Sequence, residues 1–76
     1  MIRGTVLHYV ERDEDREVHI IPDEGVFDVY YVKDGSCLSY VFGLPRYQPC
    51  ENKYYDIDDV FKIAWKNFSI YEEMFE

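Results

Sequence analysis

Apolar and polar residues alternate through the first half of the chain and then change period. Residues 2–10, Ile-Arg-Gly-Thr-Val-Leu-His-Tyr-Val, are rich in β-branched and aromatic types and predict a strand. The charged run from Glu11 to Arg16 reads as a turn, and residues 17–21 as a second strand stopped by Pro22. Pro22-Asp23-Glu24-Gly25 has turn chemistry. Residues 26–33 predict a third strand and residues 36–42 a fourth. Between those two, Asp34-Gly35 matches a two-residue hairpin turn with positive φ at both central positions.

The turns set an expected register. Asp34-Gly35 puts Tyr31 opposite Leu38, Val29 opposite Tyr40, and Phe27 opposite Phe42. A turn over 22–25 puts Ile20 beside Phe27 and Val18 beside Val29. A turn centred on Asp13-Glu14 puts Leu7 beside Ile20 and Tyr9 beside Val18. Strand side chains alternate between faces, so all these apolar residues fall on one side. Three separately placed hairpins thus agree on a four-stranded antiparallel meander.

Its apolar face needs a cover. Ile57, Val60, Phe61, Ala64, Phe68, Tyr71 and Phe75 recur at steps of three and four, which predicts an amphipathic helix over 57–75. Asp56 or Asp58 suits its N-cap, and Lys62, Lys66, Glu72 and Glu73 are expected to face water. Trp65 and Ile63 lie off the main stripe. Ser69-Ile70-Tyr71-Glu72 also matches a capping box, which allows a break near Asn67. The expected architecture is α+β, ββββα, in one domain spanning 1–76, with a long loop over 43–55.

Composition narrows the function. The chain has 76 residues, enough for one small core. A hydrophobic fraction of 47% argues against disorder. Sixteen acidic residues against eight basic ones give a net charge of −8, which opposes direct binding to nucleic acid or an anionic membrane. No apolar run is long enough for a membrane span, and no signal peptide is apparent. Cys37 and Cys50 form no CxxC pattern and read as reduced thiols of a cytoplasmic protein, with a disulfide as the alternative. No GxGxxG, P-loop, HExxH or EF-hand pattern occurs, and none of the three serines has a nucleophile setting. A non-enzymatic chain without a cofactor is expected.

Two groups of residues remain as candidate sites. On the sheet face opposite the core, the expected register aligns His8, His19 and Asp28, a donor set suited to zinc or iron. A plain solvated row is the other reading. In the long loop, Tyr47, Tyr54 and Tyr55 lie near Arg46, and tyrosine is enriched at protein interfaces. Asp13, Glu14, Asp15, Asp23 and Glu24 add charge that either contacts a basic partner or only solubilises the chain.

The expectation is therefore a small acidic protein-binding module whose partner has a basic surface. In its sharper form it mimics nucleic acid and blocks a nucleic-acid-handling protein, as phage anti-CRISPR or anti-restriction proteins do. The alternatives are a metal-binding protein using the His/His/Asp row and an antitoxin or immunity-type partner. A homo-oligomer is compatible with each.

Overall fold

Four successive strands form one antiparallel sheet in the order β1-β2-β3-β4, and a single helix crosses one of its faces. The computed structural model describes residues 7–74. The strands are β1 (Tyr9–Asp13), β2 (Arg16–Asp23), β3 (Val26–Lys33) and β4 (Ser39–Pro45). A small separate hairpin follows, β5 (Tyr47–Gln48) with β6 (Lys53–Tyr54), and then helix α1 (Ile57–Met74). This is the expected ββββα arrangement. The Cα trace is only 16 Å across its thinnest axis, the depth of one sheet and one helix.

The first two hairpin turns each sit one residue later than expected. β1 and β2 join through Glu14-Asp15, and Tyr9 pairs with Ile20 in place of Leu7. The charged run read as a turn thus supplies most of β1. Leu7 stands outside any strand and is 56% exposed, while residues 2–6 of the expected first strand lie outside the described residues. β2 and β3 join through Glu24-Gly25, both with positive φ, so Ile20 pairs with Val29 rather than Phe27.

Pro22 does not stop β2; it pairs with Phe27. In a two-residue hairpin the closing pair, here Asp23 and Val26, carries the hydrogen bonds, and the next pair does not. The missing N–H of Pro22 therefore faces away from β3, beyond the last pairing of β1 at Ile20. Both shifts move the partner by two residues, so the faces are unchanged.

The third hairpin differs in kind. Asp34-Gly35 turns as expected, with φ of 56° and 72° and a Ser36 N–H donated to Lys33 O at 3.1 Å. Pairing nevertheless resumes only at Ser39, and a register shift falls between Val29 and Tyr30. Val29 pairs with Phe42 and Phe27 with Leu44, whereas Tyr30 pairs with Tyr40, leaving Val41 as the extra residue of a β-bulge. One inserted residue reverses the alternation. Tyr40, expected in the core, meets Tyr30 on the outer face and is 58% exposed; Leu38 is exposed as well. Val41, Phe42 and Leu44 pack against the core instead.

The core lies between β2, β3 and α1. Val18, Ile20, Phe27, Val29 and Tyr31 from the sheet meet Val60, Phe61, Ala64 and Phe68 from the helix. The Tyr31 hydroxyl donates to the Ala64 carbonyl at 2.7 Å, and burial pushes the Tyr31 phenol well above its ordinary pKa.

Asp56 is the N-cap: its Oδ1 accepts the Asp59 N–H at 2.9 Å, and Asp59 Oδ2 accepts the Asp56 N–H at 3.2 Å. The Asp59 N–H, foremost, holds the Asp56 carboxyl below its ordinary range. The helix runs unbroken past Asn67, because the Ser69 hydroxyl donates to the Trp65 carbonyl one turn back rather than capping a new helix.

Glu72, expected to face water, instead fastens the helix to the sheet. It accepts from Arg16 Nη1 at 2.8 Å and lies 3.0 Å from Lys33 Nζ. These two cations, Lys33 foremost, hold its carboxyl below the ordinary glutamate range. A depressed folded-state pKa contributes stability that is complete above the unfolded value, near pH 4.3, and lost as the pH falls through the folded one. Glu72→Gln is therefore expected to lower the urea midpoint at neutral pH, and the gap from wild type should narrow in acid, as the pH falls through the folded-state pKa. An equal gap at neutral and acid pH would show that the carboxylate charge contributes nothing.

Candidate partner-binding surface

The expected long loop is mostly ordered structure. β4 takes up residues 43–45, and the β5–β6 hairpin occupies much of the remainder. Its base is pinned at two points: Arg46 N–H donates to Gly25 O, and Tyr55 N–H to Arg46 O, each at 2.8 Å. Its tip turns through Pro49–Asn52, where Asn52 adopts φ of 49°. The Gln48 side chain donates to Pro45 O at 2.7 Å and braces the entry.

Tyr47 and Tyr54 are direct cross-strand partners with ring centroids 4.9 Å apart. The Tyr47 hydroxyl donates to Asn52 Oδ1 at 2.8 Å, which fixes that ring against the turn. Tyr54 is 69% exposed. Tyr55 serves differently. It is half-buried against the core, and its hydroxyl donates to Glu51 Oε2 at 2.5 Å, a bond that raises its pKa. Arg46 places its guanidinium carbon 5.2 Å from the Phe27 ring centroid, covering the core edge.

The hairpin's neighbours are acidic. Its pinning bond to Gly25 brings it beside Asp23 and Glu24 in the β2–β3 turn. Tyr55 leads directly into the acidic first turn of α1, Asp58 and Asp59. Lys53 partly offsets this, with Nζ 3.8 Å from Asp59 Oδ2.

The remaining expected contact residues, Asp13, Glu14 and Asp15, are at the other end of the sheet. The length of β2 separates the two ends, and its eight residues span roughly 23 Å. Asp13 accepts from Arg16 at 2.7 Å, and the Asp15 carbonyl accepts the Asp34 N–H at 2.8 Å. The Asp15 and Asp34 carboxyls also share a hydrogen bond, which lowers the first and raises the second. The expected surface therefore divides in two: tyrosines with Asp23 and Glu24 at one end, and Asp13, Glu14 and Asp15 at the other, where Asp13 and Asp15 are engaged within the chain.

That second end holds a feature the sequence did not signal. An open groove of about 420 Å³ lies between the β1–β2 hairpin and α1, bordered by Glu11, Arg12, Asp13, Arg16, Trp65 and Ser69. Trp65 Nε1–H donates to Glu11 Oε1 at 2.8 Å, and the Arg16 guanidinium carbon is 5.4 Å from the indole centroid. These partners come from distant stretches of chain, so no local pattern announced them.

The expected metal row is only half assembled. His8 Nε2 lies 2.8 Å from His19 Nδ1. Asp28 pairs across to Ile21 and Gly43, whereas His19 pairs with Val10 and Tyr30, because both ladders are shifted from their expected registers. Glu17, not Asp28, is the carboxylate on His19, with Oε1 at 2.8 Å from Nε2. Among the described residues, no group of three His, Cys, Asp or Glu side chains is placed to hold a metal ion. Cys37 and Cys50 are free thiols, not a disulfide. Among the described residues, no helix is long and apolar enough to cross a membrane.

No family model matches the chain, and neither the curated proteins nor the solved structures contain a match to it.

Proposed function

We propose that this chain is a small, acidic, non-enzymatic binding module of the cytoplasm that occupies the nucleic-acid site of a basic protein partner. It docks through the β5–β6 hairpin and the adjoining β2–β3 turn. The observation that carries the reading is the Tyr47–Tyr54 pair, held outward on a hairpin pinned at its base and flanked by carboxylates. A tyrosine ring covers much area for little lost side-chain freedom, and its hydroxyl can bond to the partner. A hairpin already ordered in the free protein adds little ordering cost on binding. The net charge of −8 suits a surface built to hold phosphates, and long-range attraction would speed the encounter.

Competition tests this reading. The immobilised chain isolates its partner from the native host, and an oligonucleotide is then titrated in. The oligonucleotide is expected to release the partner, and raised salt to weaken the complex. A partner that stays bound at saturating nucleic acid contradicts the mimicry.

A further inference from the structure

The His8–His19 contact is informative about protons. At 2.8 Å one ring nitrogen donates and the other accepts. His19 Nε2 already faces Glu17 Oε1 at 2.8 Å, and a carboxylate only accepts, so the His19 proton sits on Nε2. Its Nδ1 lone pair is then directed at His8, whose Nε2–H is the donor. A carboxylate behind one ring, with the far nitrogen of that ring left as a lone pair, is the arrangement that orients metal-binding histidines. The pair lies on the sheet face opposite the helix; His8 is exposed just before β1, and His19 sits within β2.

We propose that a divalent transition-metal ion displaces this hydrogen bond and is bound by His8 Nε2 and His19 Nδ1, the His8 proton moving to its own Nδ1, with Glu17 as the positioning residue behind His19. For metal–nitrogen bonds of about 2.0–2.1 Å, two nitrogens at a right angle lie roughly 2.9 Å apart, and two at a tetrahedral angle roughly 3.4 Å apart. The observed 2.8 Å is close to the right-angle separation, and the exposed His8 ring turns on binding so that the two lone pairs meet beside the N···N line rather than on it. Ions that accept tetragonal or octahedral coordination, Ni²⁺ and Cu²⁺, therefore fit with less movement than tetrahedral Zn²⁺. The protein supplies two donors, since no third His, Cys, Asp or Glu among the described residues completes the set. Water, or a donor atom of a docked molecule, fills the other positions. Arg12, 3.8 Å from Glu17 Oε2, and Tyr30, paired with His19, are the other titratable groups facing the pair. The inference does not depend on the proposed docking surface, which lies elsewhere on the molecule.

Titration calorimetry of the tag-free chain with nickel chloride tests it, with circular dichroism to verify the fold of each variant. Wild type is expected to bind one Ni²⁺ per chain, and His8→Gln and His19→Ala each to bind at least about tenfold more weakly. His8 lies outside every strand, so His8→Gln keeps the test valid even if His19→Ala fails to fold. Glu17→Gln leaves both imidazoles in place and should weaken binding by about tenfold or more. Nitrogen NMR of His19 should show the Nε2–H tautomer in wild type. Absence of saturable one-to-one binding, or equal affinity in wild type and His8→Gln, overturns the site. Unchanged affinity in Glu17→Gln overturns the role given to that residue.

Discussion

Phe68→Ala is expected to lower unfolding stability by about 3–5 kcal/mol, the range for removing a buried aromatic side chain without refilling its space. Phe68 is 1% exposed and lies where the helix meets the central strands. Its ring stacks on Tyr31 with centroids 4.2 Å apart and an interplanar angle of 17°. Trp65 stacks at 5.8 Å, and Arg16 sits over the ring at 5.6 Å. Truncation would remove three neighbours' support at once, and the rigid sheet beneath cannot collapse into the gap. A domain of this size has roughly 4–11 kcal/mol of stability in total, so the change removes a large share of it. Urea unfolding should therefore show a fall in midpoint several times that of Ile70→Ala, which alters a residue 49% exposed. Similar midpoints for the two variants would mean that the helix does not seat through Phe68.

The second large effect is expected on binding. Tyr54→Ala should weaken the complex with the partner by about 2 kcal/mol or more, roughly thirtyfold in Kd, as truncating an aromatic anchor does. The loss should fall mainly on dissociation, because Tyr54 carries no charge and contributes contact area. Neutralising Asp23 and Glu24 should act in the other kinetic limb, slowing association and flattening its dependence on salt. Tyr55→Phe should have a smaller effect than Tyr54→Ala, since its hydroxyl is engaged by Glu51 within the chain. Surface plasmon resonance with the isolated partner separates these rates.

The faces of β2 and β3 were legible because alternation survives an error of two residues. Val18, Ile20, Phe27, Val29 and Tyr31 are in the core despite two misplaced turns. Local chemistry favours turns one residue early, because Pro22 has the character of a strand terminator and Asp13 that of a turn residue. In fact Pro22 sits at a position of β2 that needs no donor toward β3, and Asp13 closes the hairpin opposite Arg16. The bulge at Val41 had no comparable signal. Leu38, Tyr40, Phe42 and Leu44 recur at steps of two, so alternation puts all four on one face and carries no sign of a break. A one-residue slip was enough to send Tyr40 outward.

The helix was legible almost to the residue, since its stripe and its Asp56 cap are both local features. The clasp of Arg16, Lys33 and Glu72 was not, because an ion pair spanning 56 positions leaves no trace in a window of sequence. For the same reason the tyrosine pair was recognisable as a group, but its placement beside the β2–β3 turn, through the bond from Arg46 N–H to Gly25 O, was not. That the first and second turns point to opposite ends follows from the expected meander itself, and the strand order agrees.

The docking claim is tested most directly by comparing Kd for the isolated partner between Tyr54→Ala and a Glu14→Gln, Asp15→Asn double variant. The hairpin-end variant should bind about thirtyfold more weakly, while the double variant, altered at the far end, should keep its affinity within about threefold. If the far-end variant loses affinity and Tyr54→Ala does not, the partner sits on the β1–β2 turn and the docking end has been assigned to the wrong side of the molecule.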